Sequence, residues 1–180
     1  MKTKIGWTIW FTGLHGAGKT TIAKKLADIL RKKNFPVILL DGDELRRSVS
    51  SDLGYSLDER NKHMKRVADV CKVISENGIL AIASVASPTE KSRAYARQVI
   101  KNMFLVYVKC PLDVCEKRDV KGHYKKAKER KKGFEYFISI SSGYEEPKSP
   151  DIILNTDKES VEESVNKLIT KLKEKRIINF

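Results

Sequence analysis

Residues 13–20 read Gly-Leu-His-Gly-Ala-Gly-Lys-Thr, and no other stretch restricts the fold as strongly. Glycines at 13, 16 and 18 let the backbone curl until its N–H groups converge on one point, an arrangement suited to phosphate oxygens. The G-x-x-x-x-G-K-[ST] spacing carries that meaning only between a strand and a helix. Both flanks are present: Thr8–Phe11 is a short apolar run before the loop, and residues 19–33 follow with a helical pattern. The N-terminus of that helix adds positive potential. Lys19 can reach the β- and γ-phosphates, and the Thr20 hydroxyl can ligate Mg²⁺. Gly13, Gly16, Ala17, Gly18, Lys19, Thr20 and Thr21 are therefore the candidate residues for binding a nucleoside triphosphate. The loop alone does not separate a small-molecule kinase from a GTPase or an ATPase motor. The chain lacks the Asn-Lys-x-Asp pattern of guanine recognition, and 180 residues leave little room for a motor's accessory elements.

The rest of the chain repeats the strand-then-helix rhythm. Val37–Leu40, Ile79–Ala83, Phe104–Val108 and Ile152–Leu154 join Thr8–Phe11 as short apolar runs expected to be buried parallel strands. Helical patterns lie near 19–33, 57–77, 89–101, 112–131 and 158–175. In the last of these, Val161, Val165, Leu168 and Leu172 define one apolar face. Such alternation predicts a doubly wound α/β architecture, with ligands beyond the carboxyl ends of the strands. No linker or internal repeat interrupts it, so one domain is expected over 1–180.

At the end of the second run stands Asp41-Gly42-Asp43-Glu44-Leu45-Arg46. Asp41 is a candidate for holding Mg²⁺ or its waters. Asp43 could accept the proton of a substrate hydroxyl while that oxygen attacks the γ-phosphate. Arg46 lies within reach of a substrate anion. The competing reading makes the same acids a solvated turn with an Asp cap.

Charge narrows the partner. The net charge is +13, and residues 117–132 hold nine basic residues against two acids, so much of the excess sits in one segment. That fits a local anion site; no interleaved aromatics or nucleic-acid motif accompanies it. With 41% hydrophobic and 33% charged residues, disorder is excluded, and no apolar run is long enough to cross a membrane. Cys71, Cys110 and Cys115 lack metal-ligand spacing and cannot all pair within one chain; reduced core thiols in a cytoplasmic protein are expected.

Taken together, these blocks resemble the adenylylsulfate (APS) kinase family. The phosphate loop is followed by Leu40-Asp41-Gly42-Asp43, Asp52-Leu53-Gly54-Tyr55-Ser56, Glu59-Arg60 and Ser87-Pro88. Then come Val114-Cys115-Glu116-x-Arg118-Asp119-Val120-Lys121-Gly122, Tyr124-Lys125-Lys126-Ala127, Gly133-Phe134 and Ile153-Leu154-Asn155-Thr156, so the match spans roughly 8–156. The resemblance implies a P-loop kinase fold: a five-stranded parallel sheet ordered 2-3-1-4-5, helices on both faces and a basic lid at about 117–135. It implies Mg-ATP-dependent phosphorylation of the 3′-hydroxyl of APS, giving 3′-phosphoadenylyl sulfate (PAPS), by a cytoplasmic homodimer. It assigns Asp43 to the 3′-hydroxyl, Arg46 and Arg60 to APS, and Tyr55 and Phe134 to an aromatic sandwich around the substrate adenine. Ala86, Gly133, Lys121 and His63 fall at the acceptor site, Arg118 at ATP, and Ser87 at a serine that has been labelled a phosphoserine intermediate.

Four departures cluster around the acceptor. His63 stands where the family usually has Asn, Val85-Ala86 replace a bulkier pair, Thr89 replaces a common Tyr, and 135–143 is longer than usual. They leave open a related kinase acting on the ribose hydroxyl of another nucleotide, such as a cytidine diphosphate derivative. A nucleotide-binding module without turnover is the reading from a different class.

Overall fold

The computed structural model describes residues 5–119, 122–129, 131, 137–138 and 143–180. Five strands, β1 Thr8–Thr12, β2 Val37–Asp41, β3 Leu80–Ser84, β4 Met103–Lys109 and β5 Ile152–Asn155, form one parallel sheet in the order β2-β3-β1-β4-β5. The order expected from the resemblance is the order observed. Among the described residues the helices are α1 Lys19–Lys32, α2 Gly42–Arg47, α3 Leu57–Glu76, α4 Glu90–Val99, α5 Leu112–Arg118, α6 His123–Lys128 and α7 Val161–Glu174.

The central strand explains the layering. All five residues of β1 are buried, and their side chains alternate between faces. Ile9 and Phe11 pack with Ile22, Leu26 and Leu30 of α1 and Leu168 and Leu172 of α7. Trp10 faces the other way, onto Val67 and Cys71 of α3 and Ala96 of α4. Each fully buried side chain of this size stabilises by about 1.5–3 kcal/mol. The phosphate loop is thereby anchored to a strand buried along its whole length. The cysteines are free and buried, as expected.

Some expectations are corrected. Val37–Leu40 was expected to be buried on both faces, yet β2 is an edge strand with Ile38 37% exposed, because one side has no neighbouring strand. The helical pattern of 112–131 is two helices, α5 and α6, rather than one. Asp119 ends α5 and its carboxylate then accepts the Tyr124 and Lys125 N–H groups at 3.1 Å each, capping α6. The segment after β2 forms α2, with Asp41 as its N-cap, as the capping reading of these acids expects. Helix α7 starts at Val161 rather than near 158, because Ser160 and Glu163 form a capping box.

Two glycines in the loop are structurally required. Gly13 has φ +146°, and a Cβ there would lie 2.4 Å from the Val108 carbonyl oxygen. Gly16 has φ +76°, with a Cβ 2.9 Å from the Cys115 carbonyl oxygen. The loop is pressed against β4 and α5 at distances only glycine permits. No helix among the described residues is long and apolar enough to cross a membrane.

Candidate active site

A cleft of about 1200 Å³ opens at the carboxyl edge of the sheet. It is lined by Gly16–Thr21, Asp41, Asp43, Arg46, Tyr55, Arg60, His63, Ala86, Ser87 and Arg118, which are nearly all of the residues singled out in the sequence. Gly13 lies behind the loop, where its N–H reaches the Ala86 carbonyl at 3.5 Å. Lys121, Gly133 and Phe134 lie outside the described residues.

Lys19, the first residue of α1, is buried, and its Nζ donates to the Gly13 and Leu14 carbonyls at 2.9 and 2.7 Å. The ammonium is thus held within the curl of the loop. Thr20 Oγ1 lies 3.3 Å from Asp41 Oδ2 and 3.1 Å from Ser84 Oγ. Asp41 Oδ1 accepts the Asp43 and Glu44 N–H groups. The two competing readings of this acid therefore coexist: one oxygen caps α2 and the other faces Thr20. Parallel pairing of β2 with β3 sets Asp41 beside Ser84, which brings the ends of separate strands to one point.

The side of the cleft expected to take the acceptor is assembled from α2 and α3. The Ser56 and Glu59 capping box opens α3, and the Glu59 carboxylate also accepts the Gly54 N–H at 2.8 Å. This fixes the turn carrying Tyr55, while Arg60 Nε donates to the Tyr55 carbonyl at 2.9 Å. Arg46 and Arg60 lie over the Tyr55 ring, at 4.9 and 5.3 Å from its centroid. Burial, then the nearby Arg46 charge, lowers the Arg60 pKa to about 10. Burial likewise lowers that of Arg46, whose buried Nη1 has no hydrogen-bond partner among the described residues. Two partly desolvated cations held together form a site that favours an anion.

His63 lines the cleft, as expected, and its ring is also held by the protein. Its Nε2 donates to the Gly42 carbonyl at 3.2 Å, and its Nδ1 accepts from Ser50 Oγ at 2.9 Å. Both nitrogens are engaged by the protein, so His63 ties α3 to the start of α2, next to Asp43. Burial and the Arg46 charge lower its pKa to about 4. Ser87, expected as a catalytic residue, borders the cleft but has no exposed surface, and its Oγ pairs with Ser92 Oγ at 3.1 Å. Its φ of 42° is sustained by Arg93, whose Nη1 donates to the Ser87 carbonyl at 2.7 Å.

Several functional supports were missed in the sequence. Fully buried Arg93 also donates to the Glu145 carbonyl at 2.7 Å and pairs with Glu90 at 2.9 Å. Thr12 Oγ1 donates to the Ala86 carbonyl at 2.7 Å and accepts from the Tyr144 hydroxyl at 2.9 Å. Thr156 Oγ1 donates to the Ala17 carbonyl at 2.8 Å, and Arg118 Nη2 to the Thr156 carbonyl at 2.6 Å. Thr156 belongs to the block that closes the resemblance, without a role read for it, and it stands directly after β5. The basic segment is partly balanced in place: Lys117 pairs with Asp113, Lys128 with Glu116 and Lys131 with Glu129.

Comparison with known proteins agrees with this geometry. A model of the adenylylsulphate kinase family matches residues 5–155. The adenylyl-sulfate kinase of Halothermothrix orenii is 45% identical over 180 residues, covering 100% of this chain and 96% of that protein. That of Gloeothece citriformis is 41% identical over 167 residues, covering 93% and 94%. The Mycobacterium tuberculosis APS kinase CysC, solved in complex with AMPPNP and APS, superposes with a TM-score of 0.89 at 35% identity, covering 94% of this chain and 98% of that one. A phosphate loop on the central strand, an acid and paired arginines opposite it, and matches that run nearly end to end lead to one conclusion: the chain belongs to the adenylylsulphate kinase family.

Proposed function

We propose that this chain transfers the γ-phosphoryl group of ATP to the 3′-hydroxyl of APS, giving PAPS and ADP. The observation that carries this reading is a single cleft holding Lys19 and Thr20 on one side and Asp43, Arg46, Tyr55 and Arg60 on the other. Such an arrangement supports direct, in-line transfer between two bound nucleotides.

Lys19 neutralises charge on the transferring phosphate, with the backbone of residues 13–18 cradling the chain of phosphates. Asp43 takes the proton of the attacking hydroxyl, and α2 holds it at the cleft because Asp41 accepts the Asp43 N–H and His63 donates to the neighbouring Gly42 carbonyl at the start of the helix. Arg46 and Arg60 bind the phosphosulfate, and the face of Tyr55 offers a stacking surface for the adenine. Arg118 belongs to the ATP side through Thr156.

Thr20 Oγ1 and Asp41 Oδ2, hard oxygens 3.3 Å apart, fit Mg²⁺, a cation that keeps much of its shell as water and phosphate oxygen. Bound there, Mg²⁺ would neutralise phosphate charge. Ser87 has a positioning role in this reading, since its buried Oγ is bonded to Ser92. Lys121, Gly133 and Phe134 are assigned to the acceptor by resemblance, as is a homodimer; the uninterrupted strand–helix rhythm supports a single domain over 1–180, and the unpaired cysteines support a cytoplasmic location.

The test is an acceptor screen with Mg-ATP, reading ADP release and product mass. A product of APS mass plus one phosphoryl group supports the reading. Preference for a cytidine diphosphate derivative over APS would overturn the choice of acceptor.

A further inference from the structure

An aromatic layer above the phosphate loop has no part in the chemistry described so far. His15, within the loop, stacks on Phe137 with centroids 5.0 Å apart and 27° between planes. Tyr124 and His123 of α6 meet Phe137 edge-on at 5.0 and 6.2 Å, and His123 is edge-on to His15 at 6.0 Å. Tyr124 is 2% exposed, and its hydroxyl donates to the His15 carbonyl at 2.8 Å. One residue of the loop is therefore held through both its ring and its carbonyl. All four line the cleft that holds Lys19. The His15 imidazole stays neutral there, since burial and then the Lys19 charge lower its pKa to about 3.

We infer that His15 is a positioning residue: through its ring and its carbonyl it clamps α6 and Phe137 over the phosphate loop, and that layer keeps bulk water from the γ-phosphate. The inference rests on the phosphoryl-transfer reading. In the competing reaction a water oxygen attacks the γ-phosphorus, the bond to the β–γ bridging oxygen breaks, ADP leaves, and the water's proton passes to solvent with inorganic phosphate. A kinase limits this loss by excluding water until the acceptor is in place. A stacked aromatic pair shifts the population of the clamped arrangement by about 2- to 10-fold.

The test measures ATP hydrolysis without acceptor and ATP-dependent phosphorylation of APS, in the full chain, for the wild type, His15→Ala and His15→Phe. His15→Ala should raise the ratio of hydrolysis to transfer about 2- to 10-fold. His15→Phe keeps a stacking face and should restore the ratio. A purely structural role would lower both activities together. An unchanged ratio in His15→Ala, or a ratio left high in His15→Phe, would overturn the inference. If His15→Ala does not fold, Tyr124→Phe removes only the bond to the His15 carbonyl and should move the ratio the same way; a wild-type ratio there overturns it. Failure of the wild type to phosphorylate APS defeats the functional reading instead, and so is told apart.

Discussion

At the nucleotide end of the cleft, the loop leaves β1, a central strand whose five residues are all buried, and enters α1, whose buried face reaches the main core. At the acceptor end, Asp43 and Arg46 follow β2, an edge strand, and Tyr55 is 47% exposed in a turn pinned by Glu59. The first end is held by backbone geometry and core packing, the second by side chains holding other side chains: Glu59 on the turn, His63 on Gly42, two guanidiniums on one ring. Phosphate binding is common chemistry, and the loop for it leaves a strand buried along its whole length. On the proposed reading, choice of acceptor sits at the periphery, where residues can change without unmaking the sheet.

The strongest way to break this contrast is Lys19→Ala. If the nucleotide end supplies the main electrostatic stabilisation, turnover should fall by roughly 10²- to 10³-fold, with far-UV circular dichroism unchanged. A folded variant with near-normal kcat would remove the loop from the mechanism.

The same contrast explains what could be read from the sequence. The loop and the five strands were legible, because glycine spacing and short apolar runs are local signals; the order of the strands came from the resemblance to the family. The break between α5 and α6 was not, since the basic run 117–132 keeps a helical pattern through Asp119, and the interruption depends on that carboxylate turning to cap α6. Arg93 was overlooked because a buried arginine has no local signature; its partners Ser87 and Glu145 lie on either side of it in the chain, the latter more than fifty residues away. His63 was expected at the substrate and does line the cleft; that its nitrogens also bond Ser50 and Gly42 is a pairing only the fold creates.

Asp43→Asn tests the junction of the two ends. It keeps the size of the side chain and removes the proton acceptor, so kcat should drop by about 10²-fold or more, with little change in the KM for ATP. A large rise in the KM for ATP with kcat preserved would move Asp43 into the nucleotide end. Arg60→Ala sharpens the acceptor end alone. Loss of a charge-assisted bond to a substrate anion should raise the KM for APS by about 10- to 150-fold and leave that for ATP within a factor of about two. Equal effects on both substrates would mean that the two ends are one energetic unit.

The smallest effect expected concerns His63, and it separates a residue that reads the substrate from one that holds the site together. In the unfolded chain His63 titrates near 6.5, whereas in the folded protein burial and Arg46 lower it to about 4. Between those values the unfolded chain binds the extra proton and the folded one does not. The stability carried by neutral His63 is therefore complete above about pH 6.5 and is lost as pH falls toward 4, by on the order of 2–3 kcal/mol at about 1.4 kcal/mol per unit. Urea midpoints measured at several pH values across that window should fall with acidity in the wild type. His63→Asn should flatten the slope in part, since His15, lowered to about 3, adds a loss of the same sign. The variant can still donate to the Gly42 carbonyl, so its KM for APS should stay within about 2-fold of wild type. A change in that KM of about tenfold or more, with the pH slope intact, would place His63 among the residues that read the acceptor. It would also show that the periphery of the cleft selects its substrate with groups the protein already holds in its own hydrogen bonds.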